Sequence, residues 1–181
     1  LTGVVTGLYG CSAPVNPATA AITVRPLPTV SLTGSPTICN GDTTNITFSF
    51  TGNGPYNYSY YNGVSNVALT AASSPVQVPV HPSSTTTYTP ISITDAYCTG
   101  TSINGSAQVS VNPIPTVDLR GSDTICFGSA TSLGLYFTGN LPYNYTYTVN
   151  GIPQGALTAN TDSVNIPISP NVNTRYAMGI I

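Results

Sequence analysis

Between positions 44 and 51 the chain alternates, with Ile46, Phe48 and Phe50 on one face and Asn45, Thr47 and Ser49 on the other. A period of two is that of a strand with one face in a core and the other in water. The same alternation, cut by turn residues, predicts strands near residues 29–33, 44–51, 56–61, 66–70, 75–80, 86–94 and 106–112. Seven short strands of this kind make a two-sheet sandwich. Nowhere does the pattern take up a helical period. Tyr56, Tyr58 and Tyr60 put three rings on one side of a strand, and Asn62-Gly63 then supplies a turn that tolerates positive φ. Such a row could stack on carbohydrate. Packing between sheets is the expected role, because large rings stabilise thin sandwiches.

The pattern repeats. Pro28-Thr29-Val30 returns as Pro115-Thr116-Val117, and Thr37-Ile38-Cys39-Asn40-Gly41 as Thr124-Ile125-Cys126-Phe127-Gly128, an offset of about 87 residues. The same offset carries Phe50-Thr51-Gly52-Asn53-Gly54-Pro55-Tyr56-Asn57-Tyr58 onto Phe137-Thr138-Gly139-Asn140-Leu141-Pro142-Tyr143-Asn144-Tyr145. After one inserted residue, Ala68-Leu69-Thr70 matches Ala156-Leu157-Thr158, and Tyr88 matches Tyr176. Upstream, Ala21-Ile22-Thr23-Val24 aligns with Gln108-Val109-Ser110-Val111, and Tyr9-Gly10-Cys11 with Ala96-Tyr97-Cys98. The expected fold class is therefore all-β: tandem immunoglobulin-like β-sandwich modules in an elongated array. Residues 1–26 are read as the C-terminal strands of a preceding repeat, 27–113 as a complete repeat, and 114–181 as a repeat lacking its last strand. Arg25-Pro26-Leu27-Pro28 and Asn112-Pro113-Ile114-Pro115 join them, and alternating Pro predicts short, stiff linkers.

Composition narrows the function. Charged residues make up 4 % of the chain, with a net charge of −2, while 40 % is hydrophobic. The chain should fold, and no basic surface exists to attract nucleic acid or anionic lipid. No apolar run is long enough to span a bilayer. A hydrolase would need a nucleophile with a base, a carboxylate pair or a metal. The lone His81 sits between Pro79 and Pro82 and has Ser169 as its counterpart, Asp95 and Asp118 are isolated, and the clustered carboxylates of a calcium site are missing. Neither enzymatic activity nor a cofactor is expected.

Four cysteines, Cys11, Cys39, Cys98 and Cys126, without a Cys-x-x-Cys spacing, read as disulfides of a secreted chain. Within one repeat the natural pair is Cys39 with Cys98, which leaves Cys11 and Cys126 to find partners outside their own incomplete repeats. The alternative is that Cys39 and Cys98 lie at opposite ends of the sandwich, and Cys39 then bonds to the next module along.

Taken together, Ile38-Cys39-Asn40-Gly41, Thr51-Gly52, Pro55-Tyr56-Asn57-Tyr58-Ser59-Tyr60, Asn62-Gly63, Thr85-Thr86-Thr87-Tyr88-Thr89 and Thr94-Asp95-Ala96-Tyr97-Cys98 resemble the Ig-like and PKD-like repeats of large Bacteroidota surface proteins. These include gliding-motility adhesins and other cargo of the type IX secretion route. Two departures are Tyr60 and Tyr147 where the family often has Trp, and Ala96-Tyr97 where it often has Asn-Gly. The resemblance implies an extracellular, cell-surface location. Asp42-Thr43-Thr44, Asp123-Thr124-Ile125 and Asp162-Ser163-Val164 look like the O-glycosylation signal of exported Bacteroidota proteins, with Thr43, Thr124 and Ser163 as acceptors. Glycans would keep so uncharged a surface soluble.

The expected function is a structural repeat of an extracellular filament, stalk or adhesin, its partners being neighbouring repeats or identical subunits in a head-to-tail fibre. The alternative is an adhesin module gripping glycans or another cell surface through loops at residues 52–55 and 102–106. By the offset, Leu1 and Tyr176 fall in the same strand. Two arrangements fit: a window on a longer chain, or a subunit whose N-terminal segment completes its neighbour by strand addition. In both, residues 18–24 lie against a sandwich equivalent to residues 115–181, in the composite module that also holds Cys11 and Cys126.

Overall fold

The structure is a computed structural model that describes residues 4–6, 8–10, 12–14 and 20–179. In chain order its strands are β1 Val4–Thr6, β2 Ser12–Pro14, β3 Thr29–Thr33, β4 Thr37–Cys39, β5 Thr44–Thr51, β6 Tyr56–Tyr61, β7 Asn66–Ala71, β8 Val76–Val80, β9 Thr86–Thr94, β10 Ser102–Gly105 and β11 Ala107–Asn112. There follow β12 Thr116–Arg120, β13 Thr131–Thr138, β14 Tyr143–Tyr145, β15 Tyr147–Val149, β16 Ile152–Pro153, β17 Leu157–Ala159, β18 Ser163–Ile168 and β19 Tyr176–Met178. The described residues contain no helix.

Two sheets enclose the first core, one in the order β10-β3-β5-β8 and the other β4-β11-β9-β6-β7. Val30 and Leu32 of β3, with Ile46, Phe48 and Phe50 of β5, face Tyr56, Tyr58 and Tyr60 of β6, Ile93 of β9 and Val109 of β11. The alternation read from the sequence thus settles which face is inward. Phe48 lies 4.9 Å from Tyr58 and Phe50 lies 4.9 Å from Tyr56, ring centre to ring centre, so aromatic pairs bridge the two sheets. Each such pair adds about 0.5–1.5 kcal/mol beyond its buried area. Tyr58 is 3 % exposed, so the row is core and presents no face to a sugar.

Residues 116–178 repeat the scheme in abbreviated form, with sheets β12-β13-β18, β14-β17 and β16-β15-β19. Leu135, Phe137, Tyr143 and Tyr145 form their core, and Phe137 again stacks 4.9 Å from Tyr143.

The seven strands expected between residues 29 and 112 appear within a residue of their predicted bounds. Two more were missed. Thr37–Cys39 becomes a strand by pairing in parallel with the end of β11. Ser102–Gly105, expected as a loop, is an edge strand parallel to β3. The N-terminal segment also differs from expectation. Val4–Thr6 and Ser12–Pro14 pair with each other as a hairpin, whereas residues 20–26 join no strand and are exposed. A strand needs a ladder partner, and no described segment lies alongside them to supply one. Of residues 18–24, positions 18 and 19 fall outside the described residues, as does Cys11.

Candidate functional site

Two places gather chemistry. The first lies at the start of the complete repeat, around Asp95. Its carboxylate is buried and accepts three backbone N–H groups: Asn53 at 2.8 Å, Tyr97 at 2.9 Å and Cys98 at 2.7 Å. The N–H of Asp95 donates to the Cys98 carbonyl, and that of Ala96 donates to the Asn53 carbonyl. One side chain thus ties the turn after β9 to the turn after β5. The Asn53 N–H, then that of Tyr97, hold the Asp95 carboxyl below the usual carboxylate range, with Cys98 and the positive charge of Arg25 adding to the effect.

Gly52 completes this arrangement. Its φ of 114° is open to glycine, and a Cβ there would stand 2.7 Å from the Asp95 carboxylate. The Gly52 carbonyl accepts the Tyr56 hydroxyl at 3.1 Å, a bond repeated from Tyr143 to Gly139. The turn at residues 52–55 is therefore occupied by its own structure.

The same corner receives the linker. The Arg25 guanidinium sits 3.9 Å above the centre of the Tyr97 ring, a cation–π contact across the joint. At the next joint the counterpart of Arg25 is Asn112, whose side-chain carbonyl accepts a hydrogen bond from Asn140 at 3.1 Å. Each joint thus has a polar clasp, of different chemistry. Sequence reasoning treated Asp95 as isolated. The signal available was Asp followed by small and turn residues, the pattern of a side chain that caps N–H groups two and three positions on.

The second place is an open groove of about 710 Å³ among residues 119–133 and 168–176. Thr124, Ile125 and Cys126 line one side, and Thr174, Arg175 and Tyr176 the other. At its base Leu119 and Ile168 are half-exposed, whereas their counterparts Leu32 and Val80 are buried. A shallower depression of about 430 Å³ overlies the outer face of β6 between Asn57, Ser59, Thr70, Ser92 and Thr94.

The expected bond between Cys39 and Cys98 is not formed: both are free, as is Cys126. The reason is distance. Asn112 pairs with Cys39 beyond the Thr86 end of β9, whereas Cys98 follows its Thr94 end. Nine residues of strand separate them, roughly 27 Å at about 3.4 Å per residue, where a disulfide needs Cα atoms within about 7 Å. Thr43, Thr124 and Ser163 are all exposed, on separate parts of the surface. His81 is exposed, and no group of three or more His, Cys, Asp or Glu converges among the described residues. Nor, among these residues, is any helix long and apolar enough to cross a membrane.

No family model and no curated protein matches the sequence. Solved structures do match. A three-Ig fragment of titin carrying a Glu-to-Ala mutation is similar over 86 % of this chain and 65 % of its own length, with a TM-score of 0.56 at 11 % identity. An I-band fragment of titin is similar over 84 % of this chain and 57 % of its own length, with a TM-score of 0.51 at 11 % identity. The chain therefore spans less than two thirds of either fragment. The likeness establishes the fold alone: all-β modules of the Ig type in tandem.

Proposed function

We propose that the chain is a stretch of structural repeats from an extracellular cell-surface filament, stalk or adhesin, in which modules run head to tail. Residues 27–113 are the complete repeat, residues 114–181 a repeat short of its last strand, and residues 1–26 the end of a preceding one. The observation that carries this reading is the pair of joints. At both, a Pro-alternating linker enters the next module beside a polar clasp, Arg25 on Tyr97 and Asn140 on Asn112. Stiff linkers held in this way set the orientation of successive modules, which a stalk needs and an independent enzyme does not.

The surface fits the same role. With 4 % charged residues it offers little electrostatic grip, and exposed Thr43, Thr124 and Ser163 are open to glycosylation. Cys39 is exposed and stands at the C-terminal end of its module, away from Cys98. The resemblance to Bacteroidota surface repeats supports a place on the outside of such a cell. Small-angle scattering from three or more linked copies of residues 27–113 tests the proposal: a rod whose length grows linearly with copy number supports it, and a compact envelope refutes it. Specific capture of an isolated repeat on a glycan array would instead favour a ligand-binding adhesin module.

A further inference from the structure

Away from both places described above, the outer face of β12, β13 and β18 departs from its counterpart in the complete repeat at four neighbouring positions. On β3 and β5 that face is a grid of small hydroxyl groups, in which Ser31 opposes Ser49 and Thr33 opposes Thr47. At the offset of about 87 residues stand Asp118, Tyr136, Arg120 and Gly134, and they oppose each other in the same two pairs. The end of the face is unchanged, with Thr116 opposite Thr138 as Thr29 is opposite Thr51. The ladder therefore demands none of the four, since the complete repeat builds it with Ser and Thr. The face is open by its place in the fold. In the complete repeat β10 lies beside β3 in the plane of the sheet, and Thr33, Thr51 and Gln77 on the same face are exposed.

The four residues make one unit. Tyr136 lies back over Gly134, where a Cβ would stand 3.0 Å from its Cε2 and 3.3 Å from its hydroxyl, so glycine makes room for the ring. The Arg120 guanidinium sits over the ring, 4.8 Å from its centre, and its Nε–H donates to Asp118 Oδ2 at 2.7 Å. The unit faces solvent: Tyr136 is 45 % exposed, and the side chains of Arg120 and Asp118 are 68 % and 58 % exposed. An ion pair this exposed adds little to stability. It leaves the Nη groups of Arg120 as donors and Asp118 Oδ1 as an acceptor, without a protein partner among the described residues. Asn165, opposite Gly134 on β18, adds an exposed amide. We infer that this patch is a carbohydrate site for a neutral glycan chain. A sugar presents an apolar C–H face, which an aromatic ring covers, and a rim of adjacent hydroxyls, which a carboxylate oxygen and a guanidinium N–H bind together. The charges of Asp118 and Arg120 cancel, so the patch favours a hydrogen-bonding ligand without net charge over an anion. An open sheet face suits a chain that runs along it, where a small ligand would need an enclosing pocket.

This site goes beyond the head-to-tail reading, which residues 27–113 carry without it. Affinity electrophoresis of the 181-residue chain tests it, in gels containing a mixed-linkage β-glucan, a β-mannan or dextran, with polygalacturonate as the acidic member of the panel. Retardation in at least one neutral polysaccharide is expected. Tyr136→Ser and Arg120→Thr, which restore the residues of the complete repeat and touch neither core, should each weaken it at least tenfold with an unchanged thermal midpoint. Carrying the unit into the complete repeat, with S31D, T33R, T47G and S49Y together, should instead strengthen retention at least twofold by adding a second copy of the patch. No retardation in any neutral polysaccharide overturns the inference; the four residues are then a clasp between β12 and β13, and the head-to-tail reading stands. Retention that survives Tyr136→Ser overturns this location for the site. Retention by polygalacturonate alone, abolished by salt, overturns the neutral ligand and makes Arg120 an anion contact.

Discussion

The Asp95 carboxylate accepts the Asn53 backbone N–H at 2.8 Å, a bond across 42 positions that closes the end of the complete sandwich where the linker arrives. With the Tyr97 and Cys98 N–H groups on the same carboxylate, it makes the corner on which Arg25 rests. Asp95→Ala should lower the thermal midpoint and loosen the joint together, whereas Arg25→Ala should loosen the joint and leave the midpoint of residues 27–113 almost unchanged. Calorimetry paired with hydrogen exchange at residues 95–98 separates the two.

A pH dependence follows from the same group. Its folded pKa is depressed, so the stability it contributes is present above the unfolded carboxylate value near 4 and is lost as pH falls through the lower folded value. Denaturant midpoints should hold steady at neutral pH and fall below about pH 4, and Asp95→Asn should flatten that fall. An acid limb of equal steepness in the variant would show that another carboxylate is responsible.

Gly52 should tolerate no side chain. With φ at 114° and the Asp95 carboxylate 2.7 Å from the position of a Cβ, Gly52→Ala strains the backbone and displaces the acceptor at once. A loss of about 1–3 kcal/mol is expected by chemical denaturation. Gly41, also at positive φ but with open space around it, should lose only the conformational part on the same change.

The cross-sheet rings set the stability of the core. Phe48, fully buried and in contact with Tyr58 and Tyr60, should cost about 3–5 kcal/mol on change to Ala. Gln77, exposed on β8, should cost less than about 0.5 kcal/mol. Equal losses at the two positions would contradict the inward face assigned to β5.

Much of this was legible in the sequence, for a stated reason. Ile46, Phe48 and Phe50 alternate with polar neighbours, and a period of two has one meaning when a face must be buried. What stayed hidden depends on partners distant in sequence. Thr37–Cys39 is too short to announce itself and becomes a strand through Asn112 and its neighbours. Ser102–Gly105 is exposed throughout, so it has no alternation to read. The Cys39–Cys98 pairing failed because sequence order within a repeat does not say which end of a sandwich a turn occupies. Asp95 is a mixed case: its bonds to the Tyr97 and Cys98 N–H groups are local and follow from the turn, whereas the Asn53 N–H is brought to it by the fold alone.

The central claim is that the repeat is an independent mechanical module in a tandem array. Single-molecule stretching of linked copies of residues 27–113 tests it most directly, under non-reducing conditions. The account predicts a regular series of force peaks, one per copy. Each should release roughly 250–300 Å of contour, as expected for about 87 residues at about 3.5 Å each less the folded length. The full increment is expected because Cys39 and Cys98 stand too far apart to bond. Increments shortened by roughly 200 Å would mean that the two cysteines are joined within the repeat, against the geometry described. Extension without discrete peaks would contradict the account outright, since a chain that yields without them is not built of modules that resist force.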